Sequence, residues 1–185
     1  FIIALKKMID KDKFIREKIK IAFIEDLNVK KITEILPAVD IYSNLTLPTL
    51  DNQNFHILNA IFNMSNILSS NGGIVDNLKD DNSFYTFGAD FKNVKKMNQD
   101  NSYNANEFYY DSDIVKFTID NLLNESYDNF PYNFKTIYDQ LLMYNDSFKC
   151  FYDLEDLINT RKSIENDYLD IEKWTYHQIN NILWA

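Results

Sequence analysis

A chain of 185 residues with 45% hydrophobic content, 14 Phe, 12 Tyr and 2 Trp can bury one substantial core, which excludes a disordered polypeptide. Its formal charge of −9 opposes binding to nucleic acid or to an anionic membrane surface, although residues 1–31 carry nine Lys or Arg against five acids. A single cysteine, Cys150, excludes an internal disulfide framework, and no apolar run reaches transmembrane length, so the expected compartment is the cytoplasm.

In chain order, Phe1 stands where an initiator Met would, as expected of a piece of a longer protein, and residues 1–9 predict a short helix. Residues 18–26, KIKIAFIED, form a nearly continuous apolar run, which predicts a strand buried on both faces of a parallel sheet. Residues 29–36 predict a short helix stopped by Pro37, and a short strand is expected at residues 41–45. A helix over residues 54–66 follows, then a strand at 66–69, a turn at Gly72 and Gly73, and a core strand at 84–87. Beyond Gly88 the pattern turns helical, over residues 91–97, 106–124, a segment after Pro131, 153–166 and 170–184. On the 106–124 helix, Ile114, Val115, Ile119, Leu122 and Leu123 share one face, and Asp153 and Asp170 suit N-capping of the last two helices. The expected organisation is a single domain over residues 1–185, with a strand–helix section to about residue 90 and a helical section after it. So few strands cannot satisfy a buried ladder alone, so upstream chain or another subunit is expected to complete the sheet.

The helix over residues 54–66 carries Phe55, Leu58, Ile61, Phe62 and Met64 as an expected apolar face. His56, Asn59, Asn63 and Asn66 recur on one helical stripe, which suits either a site wall or a solvated face. Three glycines in the whole chain leave no Walker-type or dinucleotide fingerprint. With His56 and His177 the only histidines, no zinc site of ordinary composition is available. Asp80–Asp81 and Glu155–Asp156 suit solvated faces better than a cation site, and Cys150 suits a buried apolar position. Trp174 and Trp184 suit anchors for the tail.

Several strings in order resemble the carboxy-terminal part of the glycogen (α-glucan) phosphorylases. SYNANEFYYDSDIVKFTIDNLL is similar to that family's Tyr-Asn-Ala-x-Glu-Tyr-Tyr entry to a long helix, and Asp146 to Phe151 with Asp153 and Glu155 to its Asp-Arg-Phe-Lys-Val-Phe-x-Asp-x-Glu segment. IAFIEDLNV, LPAVD, the FYTFG strand end and the order of Trp174, Ile179, Asn181 and Ile182 add to the likeness, which spans residues 19–182. The resemblance implies an α/β fold: the C-terminal Rossmann-like half of a glycosyltransferase-B architecture with a helical C-terminal section. It also implies an ancestral reaction in which phosphate cleaves an α-1,4-glucan to glucose 1-phosphate, using pyridoxal phosphate held on a lysine as a Schiff base.

That lysine lies in a Gly-Thr-Gly-Asn-Met-Lys run, which falls on residues 52–56 and leaves Asn54 and His56 as vestigial cofactor positions. Imidazole has no primary amine, both glycines are gone, and no lysine occurs between Lys31 and Lys79. The expectation is therefore a degenerate, catalytically inactive relative with no catalytic residue, no metal and no cofactor of its own. It would act as a binding or assembly module, with glucan and a partner subunit as candidate partners and a larger assembly as a candidate state. The alternatives are an active α-glucan phosphorylase whose site is supplied elsewhere, and a protein that binds glucan without turning it over. On this alignment the His56 stripe lines the former cofactor wall and faces inward.

Overall fold

The computed structural model describes residues 1–50, 55–78, 84–123 and 134–185, apart from the side chains of Phe55, Ile74 and Trp184. These residues form two compact units. One comprises Phe1–Leu27 with Asn106–Ser147, the other Asn28–Ala105 with Phe148–Ala185.

The second unit is built on a three-stranded parallel sheet, β1 (Ile41–Asn44), β2 (Asn66–Ser70) and β3 (Tyr85–Phe87), in that spatial order. All five residues of β2 are buried, so both of its faces need cover. Alternation along the strand sends Ile67 and Leu68 to opposite sides. Ile67 joins Leu36, Ile57, Ala60, Ile61, Val75 and Phe84 in one cluster, supplied by α4 (Phe55–Phe62) and α5 (Gly73–Leu78). Leu68 joins Tyr85, Phe87, Ile164 and Trp174 in another, supplied by α10 (Cys150–Tyr168) and α11 (Ile171–Trp184). Before the sheet, α3 (Val29–Ile35) is capped by Asn28, whose Oδ1 accepts from the Lys31 N–H at 3.1 Å, and Pro37 lies in the 3₁₀ turn that ends it. After it, α6 (Phe91–Asp100) is capped by Asp90 and packs Val94 and Met97 against Leu47 and Ala89.

The first unit is helical among its described residues. It holds α1 (Ile2–Lys11), α2 (Lys13–Arg16), α7 (Ala105–Asp111, starting at the unit boundary), α8 (Asp113–Asp120) and α9 (Lys135–Tyr138), which runs on into a π-helical turn over Asp139–Met143. Asp12 caps α2 by accepting from the N–H groups of Phe14 and Ile15.

The sheet strands, the parallel pairing, the helices around residues 29–36 and 91–97 and the Asp170 cap follow the sequence expectations, with α5 an addition. Several expectations do not hold. Residues 19–24 form no strand: Ile19, Phe23 and Ile24 are 50%, 74% and 41% exposed. An apolar run encodes a need for burial, not a ladder, and the unit containing it has no strand among its described residues. The helix over 106–124 is two helices, because the Ser112 hydroxyl turns to cap α8 on the Val115 N–H. Of its expected face, Val115 and Ile119 are buried while Ile114 and Leu123 are exposed. Helix α10 starts at Cys150, three residues before Asp153, and Cys150 is exposed instead of buried. The buried Trp174 anchors α11 as expected. Pro131, Lys79, Asp80 and Asp81 lie outside the described residues.

Helix α4 is rotated from its expected orientation. Ile57, Ala60 and Ile61 are fully buried, whereas Phe62 and Met64 are 60% and 41% exposed. Truncating Ile61 to Ala is expected to cost about 2–5 kcal/mol in urea unfolding, because a closed core leaves a cavity. Truncating Phe62 to Ala is expected to change stability by no more than about 0.5 kcal/mol, and equal costs at the two positions would contradict this orientation.

Candidate functional site

Parallel strands deliver their carboxy-terminal ends to one edge of a sheet, where ligands bind in open α/β folds. Here that edge is polar and tightly tied. Asn44 and Ser69, opposite each other in the register, are buried and joined by an Nδ2 to Oγ hydrogen bond of 3.2 Å. The Ser70 hydroxyl donates to the Thr46 carbonyl. Asn71 donates its backbone N–H to Phe87 O at 3.0 Å and its Nδ2 to Gly88 O at 2.6 Å.

One face of α10 holds the end of β3. Asp153, Asp156 and Thr160 follow the i, i+3, i+7 spacing of a single helical face. Asp153 Oδ1 accepts from the Ala89 N–H at 2.8 Å, Asp156 Oδ2 accepts from the Gly88 N–H at 2.7 Å, and Thr160 Oγ1 donates to Thr86 O at 3.2 Å. Gly88 lies at φ +81°, and a Cβ there would stand 2.5 Å from Asp153 Cγ, so the turn tolerates only glycine. A cleft of about 510 Å³ opens beside it, lined by Asn71, Gly88, Asp90, Asn93, Tyr152, Glu155, Asp156 and Asn159 among others. Reading the sequence missed this clasp; the helical spacing of Asp153, Asp156 and Thr160 was its one available signal.

The stripe singled out in the sequence does not assemble into a wall. His56 and Asn59 are exposed on α4, Asn63 is half-buried with its Nδ2 turned back to Asn59 O at 2.8 Å, and Asn66 is buried on β2. The helix buries Ile57, Ala60 and Ile61, which leaves His56 and Asn59 on its exposed side. Asn54 lies outside the described residues.

The model of the carbohydrate phosphorylases matches residues 1–185. The chain belongs to the carbohydrate phosphorylase family. It is similar to the glycogen phosphorylase of Bacillus subtilis (strain 168), 24% identical over 184 residues that cover 97% of this chain and 23% of the relative. The muscle-form glycogen phosphorylase of Bos taurus is 25% identical over 98% of this chain and 22% of its own length, and the glycogen phosphorylase of Haemophilus influenzae is 24% identical over 95% and 22%. The chain thus spans less than a quarter of the length of these relatives. A mixed α/β unit with a small parallel sheet under helices suits a phosphorylase domain.

The carbohydrate phosphorylases use pyridoxal phosphate, and the residue that the sequence resemblance puts at the Schiff-base position does not fit it. An imine needs a primary amine, His56 offers an exposed imidazole, and no lysine stands anywhere in residues 32–78.

A second polar cluster lies where α11 meets the sheet. Asp167 accepts from Lys173 Nζ at 2.6 Å and from the Tyr85 hydroxyl at 3.0 Å, while His177 Nε2 stays at 3.7 Å. Burial and this carboxylate push the Tyr85 phenol well above its ordinary range. His177 is buried, and neither ring nitrogen has a hydrogen-bond partner among the described residues. Desolvation lowers its pKa, with Lys173 adding to the effect and Asp167 opposing it.

Two outcomes follow from this geometry. Gly88→Ala is expected to lose about 1–3 kcal/mol of stability in chemical denaturation, through the Asp153 collision and the left-handed φ, whereas Asn93→Ala on the cleft rim is expected to lose under about 0.5 kcal/mol. For His177, a depressed folded pKa means that the unfolded chain binds more protons. Stability is therefore complete above the unfolded value of about 6.5 and declines as the pH falls below it. Thermal melts across that range are expected to show the decline in the native chain and a flatter profile in His177→Gln.

Proposed function

We propose that this chain is the C-terminal, Rossmann-like half of a glycosyltransferase-B fold that has lost phosphorolysis and persists as a binding or assembly module. The observation that carries the reading is His56, an exposed imidazole at the position aligned with the family's Schiff-base lysine, in a stretch of 47 residues from 32 to 78 without any lysine. Without an amine there is no imine to orient the cofactor, and the sequence there lacks the glycines that let a loop approach its phosphate. Retention of the two-sided sheet core while those groups are lost is the pattern expected of a domain maintained for its fold.

The assembly role draws support from two separate features. Strand β1 ends the sheet with one ladder edge open among the described residues, and residues 19–24 present Ile19, Phe23 and Ile24 to solvent. Open edges and exposed apolar runs are the usual substrate for pairing with further chain. Upstream chain or a partner subunit is the proposed occupant, in the cytoplasm; no helix of the described residues is long and apolar enough to cross a membrane. Binding of α-glucan without turnover is a second reading, favoured by the polar cleft beside Gly88.

Purified full-length protein incubated with pyridoxal phosphate is expected to show no imine absorbance and to release no glucose 1-phosphate from glycogen and phosphate. Either signal overturns the non-catalytic reading.

A further inference from the structure

Where α11 crosses the start of β2, the unit buries polar groups that its own hydrogen bonds leave unanswered. Ser65, Asn66 and Asn181 are 0% exposed and His177 is 8% exposed. Ser65 Oγ, Asn66 Oδ1, both ring nitrogens of His177 and both polar atoms of the Asn181 carboxamide have no hydrogen-bond partner among the described residues. The four side chains belong to one junction. Asn66 Nδ2 donates to the Trp174 carbonyl at 3.5 Å, and Gln178 Nε2 donates to the Met64 carbonyl at 2.5 Å. Trp174, His177, Gln178 and Asn181 follow the i, i+3, i+4, i+7 spacing of one helical stripe, so the face of α11 that meets Met64 and Asn66 also carries His177 and Asn181.

Amide flips do not supply the partners. Exchanging the nitrogen and oxygen of the Asn181 carboxamide leaves both orphaned, and exchanging those of Asn66 turns an oxygen toward the Trp174 carbonyl. The carboxylate beside His177, Asp167, lies 3.7 Å away and is already taken by Lys173 and the Tyr85 hydroxyl. Polar groups buried dry lose their hydration with no return, a cost that a marginally stable domain does not carry at six atoms together. The set also selects what completes it. Carboxamide N–H groups and the serine hydroxyl donate, while carboxamide oxygens and one nitrogen of a neutral imidazole accept, so the ligand has to do both. An anion would meet Asp167 and a cation Lys173, and side chains this enclosed admit nothing large. Water meets each condition, and one internal water makes about three hydrogen bonds. We propose that Ser65, Asn66, His177 and Asn181 form an internal hydration site, holding about two long-lived water molecules that bridge α11 to the start of β2. The helix thus docks dry at Trp174 and wet along its polar stripe, and one register along the strand satisfies both. The site shares no residue with the cleft beside Gly88 or with the aligned cofactor position.

The test is a crystal structure of the full-length protein that shows ordered solvent, paired with oxygen-17 relaxation dispersion, which counts long-lived internal waters in solution. Solvent density is expected within hydrogen-bond distance of at least two of the four side chains. Asn181→Leu, close in volume to the native residue, is expected to lose about two long-lived waters and Ser65→Ala about one, while Asn93→Ala on the cleft rim keeps the native count. A thermal melt of each variant verifies folding; if Asn181→Leu does not fold, Ser65→Ala and the crystal structure decide. Direct hydrogen bonds among the four side chains with no solvent between them overturn the proposal, as does density of an ion or a larger molecule there. An unchanged water count in the folded variants overturns it as well.

Discussion

Burial of β2 on both faces is the constraint from which the second unit follows. A strand with no solvent side needs an apolar layer above and another below, and its alternation assigns Ile67 to one and Leu68 to the other. Helices α4 and α5 come from the chain immediately around the strand, but the opposite layer comes from α10 and α11, about a hundred residues further on. Those two helices therefore complete the sheet core and do not form an appendage to it. Trp174 and Ile164 make that role visible, since each is almost fully buried against β2 and β3 residues.

The return of α10 also creates a polar clasp at the end of β3. With Asp153, Asp156 and Thr160 on a single helical face, the helix holds the end of β3 by accepting from the Ala89 and Gly88 N–H groups and donating to Thr86 O. Gly88 is the residue that allows so close an approach. The groups that hold the turn are the neighbours of those that line the cleft. Tight second contacts of this kind are what keep a binding surface in one arrangement.

Family membership and the proposed loss of cofactor chemistry rest on different residues of this chain. The chain belongs to the carbohydrate phosphorylase family, and its core is built of apolar residues, which tolerate exchange among themselves. On the proposed alignment, cofactor chemistry depends on an amine and two glycines that the sequence does not carry there. The orientation of α4 adds to this, because its core contacts through Ile57, Ala60 and Ile61 leave His56 facing water. At α11 the other histidine, His177, is buried beside an Asp167 already shared by Lys173 and Tyr85.

Local periodicity and capping chemistry were enough to locate β1, β2, β3, α3, α6 and the Asp170 start of α11, because those signals reside in neighbouring residues. The chain's strings in order were enough to point to the family, and the absence of lysine between Lys31 and Lys79 was legible without any coordinates. The rest depended on partners distant in sequence. Residues 18–26 carry every mark of a buried strand, yet a strand exists only where a ladder receives it. The face that α4 buries was set by the layer beneath it, which a helical wheel with apolar residues on several sides does not specify. The cleft beside Gly88 joins residues 71, 88 and 156, and only the tertiary structure brings them together, since hydrogen bonds across such separations are decided by packing and not by pattern.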